Sequence, residues 1–129
     1  MTQEEKQLLF IDLCTRWPYG VKVCARFNTG NRYTANVTAI SIDRDYIQIR
    51  QNDLHPYTSS SIEDIKPYLR PISSMTEEEK EEESNLWNEH DTNLIRGMLR
   101  FYCSHHLDWN NLIPIGLALE APKDMYKIE

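Results

Sequence analysis

The sequence predicts an α+β protein: an N-terminal helix, a five-stranded small β-barrel, and an acidic α-helical C-terminal region packed on it. Three observations carry that reading. Thr2-Gln-Glu-Glu5 has the form of a helix-opening capping box. From Val21 onward, apolar residues recur at every second position between turn-forming clusters, the period of a half-buried strand. After Ser73 the chain turns strongly acidic and the apolar spacing becomes helical. The 129 residues suffice for one domain. Its expected parts are an N-terminal helix over residues 1–18, a barrel over 19–72, an acidic helix or linker over 73–90 and a helical region over 91–129, all in one compact unit.

The elements follow in order. The first helix is expected from about Gln3 to Arg16, with Phe10, Leu13, Cys14 and Trp17 on one apolar stripe. Pro18 disfavours helical geometry at Trp17 and ends it. Val21, Val23, Ala25 and Phe27 alternate with polar residues in a first strand, and Asn28-Thr-Gly-Asn31 forms a hairpin turn. Tyr33, Ala35, Val37 and Ala39 mark a second strand, Ser41 to Asp45 a turn, and Tyr46 to Arg50 a third strand with Ile47 and Ile49 facing inward. Gln51 to Pro56 is loop, and Tyr57 to Ser60 a short fourth strand. Ser61 caps a single helical turn that Pro67 stops, and Tyr68 to Arg70 is a fifth, edge strand, where flanking prolines are tolerated.

A second capping box, Thr76-Glu-Glu-Glu79, opens the acidic run to Glu83. Asp91-Thr-Asn caps a further helix with the stripe Leu94, Ile95, Met98, Leu99 and Tyr102, ending near His105-His106. Trp109 to Ile113 forms one more short helix, and the tail Leu117 to Pro122 docks on the core.

Composition narrows the classes. Hydrophobic residues at 40% and charged residues at 26% are ordinary for a globular protein, and no apolar run approaches the roughly 18 residues of a membrane span. The start Met-Thr-Gln-Glu-Glu-Lys lacks the basic and apolar regions of a signal peptide. Cys14, Cys24 and Cys103 are odd in number and far apart, as reduced thiols are. A cytoplasmic location and no membrane partner are therefore expected. The net charge of −6 is uneven: bases outnumber acids from Arg16 to Ile72, and acids dominate from Ser73 onward. Either the two regions attract and pack, or the basic face binds an anion or a nucleic acid.

Candidate chemistry is sparse. Cys103, His105, His106 and Asp108, with His90 upstream, are all zinc-ligand types, but no second Cys/His pair completes a structural site. The same Cys and His residues are too close in sequence for nucleophile–base geometry, which normally joins separate elements. With four glycines there is no phosphate loop. No catalytic residue and no cofactor are assigned. Lys22, Arg26, Arg32, Arg44, Tyr46 and Arg50 fall on the exposed face or rims of the barrel. Bases beside Tyr46 and Tyr57 suit single-stranded RNA through phosphate contact and stacking.

The segments Leu13 to Val23, Ser61 to Lys80 and Gly116 to Pro122 resemble a family of small proteins of uncharacterised activity carried by phages, prophages and mobile elements of intestinal anaerobic bacteria. The resemblance implies a bacterial or phage cytosolic origin and brings no functional residues with it. Residues 19–72, with five short strands and a helical turn before the last, resemble SH3-like barrels, folds that often bind peptides or RNA.

The expected function is a non-catalytic interaction or accessory protein that recognises a protein partner through its surface. The alternatives are an RNA- or single-stranded nucleic-acid-binding module using the basic barrel face, and a small zinc protein. A homodimer through one apolar stripe is a further expectation.

Overall fold

The computed structural model describes residues 2–26, 30–40, 46–51, 58–88 and 94–126, apart from the side chain of Tyr46. The first helix, α1 (Gln3–Arg16), opens with the expected capping box. The Glu5 amide donates to Thr2 Oγ1 at 3.1 Å, and the Thr2 amide donates to Glu5 Oε1 at 2.9 Å. The buried stripe differs from the expected one: it is Leu9, Asp12, Leu13 and Arg16, while Cys14 and Trp17 are exposed. Two charged residues can occupy a buried stripe because they neutralise each other there. Trp17 belongs to a 3-10 turn, Trp17–Tyr19, where its indole Nε1 donates to the Thr38 carbonyl at 3.2 Å.

The strands β1 (Lys22–Arg26), β2 (Arg32–Ile40), β3 (Tyr46–Arg50) and β4 (Thr58–Ser61) form an antiparallel meander. A 3-10 turn, Ile62–Asp64, leads from β4 into β5 (Ile65–Leu69), and Ser61 Oγ accepts from the Glu63 amide, as its capping role requires. The fifth strand starts at Ile65, earlier than expected, and lies inside the sheet. Its alternation puts Ile65, Pro67 and Leu69 in the core. Pro67 is tolerated there because the outer neighbour pairs only from Tyr68 onward, so its missing N–H leaves no gap in that ladder.

That neighbour is a short strand the sequence does not announce, β6 (Leu119–Glu120), parallel to β5. The sheet order is β4-β3-β2-β1-β5-β6. The expected barrel is therefore not closed. The free side of β5 takes the C-terminal tail where a barrel would bring it to β4, leaving a six-stranded mixed sheet with β4 and β6 at its edges.

Arg70 fastens the C-terminal region to the sheet. Its amide donates to the His106 carbonyl at 2.7 Å, and its carbonyl accepts from the Asp108 amide at 2.8 Å. Helix α2 (Glu77–Trp87) opens with the second expected capping box, centred on Thr76 and Glu79, and packs on α3 (Leu94–Ser104). Residues 109–113 form turns where a helix was expected. Asn111 has a φ of 56°, which interrupts any helix, and the Asp108 carboxylate accepts from the Leu112 and Ile113 amides instead. One buried cluster joins Leu9 and Leu13 of α1, Val23, Ile49 and Leu69 of the sheet, and Leu112, Leu117 and Ala118 of the C-terminal region.

Candidate nucleic-acid interface and neighbouring surfaces

The sheet has one buried and one open face because successive side chains point to opposite sides. On β1, Val23 and Ala25 point into the core and Lys22, Cys24 and Arg26 point outward. Directly paired residues share a face, so register shows what accompanies them. Lys22, Asn36 and Arg50 make one row across three strands. Lys66, Cys24 and Thr34 make a second, and Arg26 with Arg32 a third. Tyr68, two residues after Lys66, lies on the same face.

Five cations thus share one sheet face about 15 Å on a side: Lys22, Arg26, Arg32, Arg50 and Lys66. Between them lie the exposed Thr34 and Asn36 and the buried Cys24, all uncharged. Arg26 donates to Asp64 at 2.8 Å, an exposed pair at the margin of the patch. Burial, then the neighbouring Cys24, pushes the Tyr68 phenol up from its ordinary value, with Thr34 and the Arg32 charge opposing.

The acidic helix does not neutralise this face. Its inner carboxylates are engaged elsewhere: Glu79 accepts two hydrogen bonds from Arg70, at 2.7 and 2.8 Å, and Glu83 accepts from the Tyr102 hydroxyl at 2.6 Å. His105 Nδ1 lies 2.9 Å from Glu79 Oε2, at ion-pair distance but off the hydrogen-bond direction. The Arg70 guanidinium holds the Glu79 carboxyl down at about 2, with burial opposing it.

Of the residues expected at this interface, Lys22, Arg26, Arg32 and Arg50 meet on the one face. Arg44, Tyr57 and the side chain of Tyr46 lie outside the described residues. Lys66 and Tyr68 belong to the face and were missed. The signal for them was the inward alternation of Ile65, Pro67 and Leu69, which forces the residues between outward.

The zinc-type residues are dispersed. Cys103 is buried toward α1, and burial pushes its thiol up, with Thr15 and the Arg16 charge opposing. A thiol so placed is a poor nucleophile. His105 faces Glu79, and His106 stacks on Tyr126 with ring centres 3.7 Å apart. Asp108 caps the turn at Leu112. No group of three or more His, Cys, Asp or Glu is arranged to hold a metal ion among the described residues, and His90 lies outside them. No described helix is long and apolar enough to cross a membrane.

A second surface lies between the end of α1 and α3, a groove of about 560 Å³. Pro18, Tyr19, Ile95 and Leu99 supply its apolar walls, with Arg96 and Arg100 on one side. Ile95 is 76% exposed, the most open of the large apolar side chains in the described residues. The expected stripe on α3 therefore divides: Met98 is buried and Tyr102 half-buried, while Ile95 faces solvent.

The chain matches no protein-family model, no curated protein and no solved structure.

Proposed function

We propose that the protein is a non-catalytic binding module whose open sheet face takes a single-stranded nucleic acid, RNA in the first instance. The observation that carries the reading is the gathering of five cations on one face of a chain whose net charge is −6. Such a face attracts phosphates by charge and by release of counterions, and its affinity falls as salt rises. Tyr68 offers an aromatic edge beside it, and Asn36 and Thr34 offer hydrogen bonds to sugar or base. The strand order β4-β3-β2-β1-β5 and the one-turn helix before β5 support likening residues 19–72 to SH3-like barrels. A bacterial or phage cytosolic setting is supported by the resemblance that Leu13 to Val23, Ser61 to Lys80 and Gly116 to Pro122 carry.

The test is fluorescence anisotropy of a labelled single-stranded RNA oligonucleotide across a salt series. Binding should weaken with a log–log slope of about 0.7 per phosphate neutralised. Arg32→Glu combined with Lys66→Glu should weaken it by tenfold or more. Absence of binding at low salt, or binding indifferent to the double variant, would remove this reading.

Recognition of a protein partner is the second reading. The open apolar groove between α1 and α3 favours it, because large apolar side chains at such exposure mark interaction sites when they cluster.

A further inference from the structure

We infer that the α1–α3 groove docks an acidic amphipathic helix of a partner protein, whose apolar residues seat on Ile95 and Leu99 while flanking carboxylates meet Arg96 and Arg100. This goes beyond the nucleic-acid reading and concerns a different surface. Ile95 and Leu99 stand four apart on α3, hence on one stripe, and Arg96 and Arg100 repeat that spacing on the adjacent stripe. A docked helix with apolar residues at three- and four-residue spacing, bordered by Asp or Glu, matches both stripes at once. Pro18 and Tyr19 form the opposite wall, so apolar side chains face each other across the groove.

Charge selects the occupant. Among the described residues, Arg96 and Arg100 have no ion-pair or hydrogen-bond partner and no carboxylate lines the groove. Two guanidinium groups with no partner among the described residues, on one side of an apolar trough, call for an acid beside an apolar anchor. A phosphate chain suits it poorly, since most of the lining would stay uncovered. The acidic helix of a second copy suits it poorly too. The apolar residues of α2 are Leu86 and Trp87, neighbours in sequence, and Leu86 already lies over Gly97 of its own α3. That leaves no three- or four-spaced pair of anchors.

The experiment is a selection of surface-displayed helical peptides of about 15 residues, randomised on one face, against the full-length protein. Enriched peptides should carry Leu, Ile, Phe or Met at three- or four-residue spacing bordered by Asp or Glu. They should lose tenfold or more in affinity for Ile95→Asp and for Arg96→Glu with Arg100→Glu, and keep it for Arg32→Glu. These side chains are exposed, so the variants should melt with the parent, and a melting curve checks this. Bound peptide should also slow alkylation of Cys14, which lines the groove. Basic or uncharged winners, or acidic winners indifferent to the groove variants, would overturn the proposal. So would a homodimer that Ile95→Asp dissociates, or single-stranded RNA whose binding depends on Arg96 and Arg100.

Discussion

Arg26 and Arg32 stand directly opposite each other on adjacent antiparallel strands, two guanidinium groups on the same open face of the sheet. Like charges in this position destabilise a strand pair. Asp64 relieves Arg26 from one side, and a bound anion would relieve both. Arg32→Glu turns the repulsive pair into an attractive one. The protein should become more stable, by about 0.2–1 kcal/mol, while its affinity for single-stranded RNA falls. A denaturation curve and a binding titration on the same preparation check both signs. Loss of stability together with unchanged binding would show that the pair is structural.

A second pair is buried. Arg16 Nε donates to Asp12 Oδ2 at 2.7 Å and a second guanidinium nitrogen to Oδ1 at 3.2 Å, with both side chains at or below 1% exposure. Asn110 adds a bond to Asp12 Oδ1 at 2.8 Å, tying the helix to the turn after α3. Removing one partner leaves an unpaired buried charge, so Asp12→Ala should cost about 3–5 kcal/mol. Replacing both together, with Asp12→Leu and Arg16→Met, should cost clearly less, because no orphaned charge remains. Urea midpoints of the parent, the Asp12→Leu and Arg16→Met single variants and the double variant, compared as a cycle, check this.

Glu79 makes a prediction about acid. Its carboxyl is held at about 2 against an ordinary 4.5, first by the Arg70 hydrogen bonds. Between those values the unfolded chain binds a proton that the native protein does not, so stability falls as pH drops from 4.5 toward 2, by about 3 kcal/mol in all. Glu79→Gln keeps the geometry of a capping box but removes the charge opposite Arg70. The variant should be less stable at neutral pH and show a flatter decline below pH 4.5. Equal slopes for the two proteins would mean that the pair contributes nothing.

The sequence was legible wherever a local pattern decides the outcome. Thr2 and Thr76 start helices because their hydroxyls and the acids three residues on satisfy free amides, and both boxes are present. Alternation placed β1, β2 and β3. What was not legible depends on partners distant in sequence. Leu119 and Glu120 have no strand signature of their own and become β6 only because Tyr68 and Leu69 present an open edge. The burial of Asp12 needs both Arg16 and Asn110, and a stripe judged by hydrophobicity passes over it. At the interface the basic residues of β1 to β3 were readable from alternation. Lys66 and Tyr68 were not, because Pro67 reads as a stop and here lies within a strand. The groove was missed because Ile95 and Leu99 look like core, and only the packing of Met98 and Phe101 shows that the inner side of α3 is already filled.

His106 connects the tail to acid stability in a different pH range. Its ring stacks on Tyr126 at an interplanar angle of 12°, and the Tyr126 hydroxyl donates to the Tyr68 carbonyl at 2.7 Å while accepting from the Lys22 amide at 3.0 Å. Burial, then the charges of Arg16, Arg70, His105 and Lys22, push His106 down from 6.5 to about 4. The native ring is therefore neutral where the unfolded one is charged, and stability is full above pH 6.5 and falls as the pH drops toward 4. The loss is about 3 kcal/mol, and it comes at higher pH than the loss due to Glu79. His106 has a φ of 61°, a backbone conformation that Asn tolerates. His106→Asn should forfeit the stack, worth about 1 kcal/mol, and remove the decline between pH 6.5 and 4. It should leave the decline below 4.5 that belongs to Glu79. Denaturant midpoints measured every half unit of pH separate the two groups. If His106→Asn leaves the upper decline in place, the proton taken up in that range belongs to another residue.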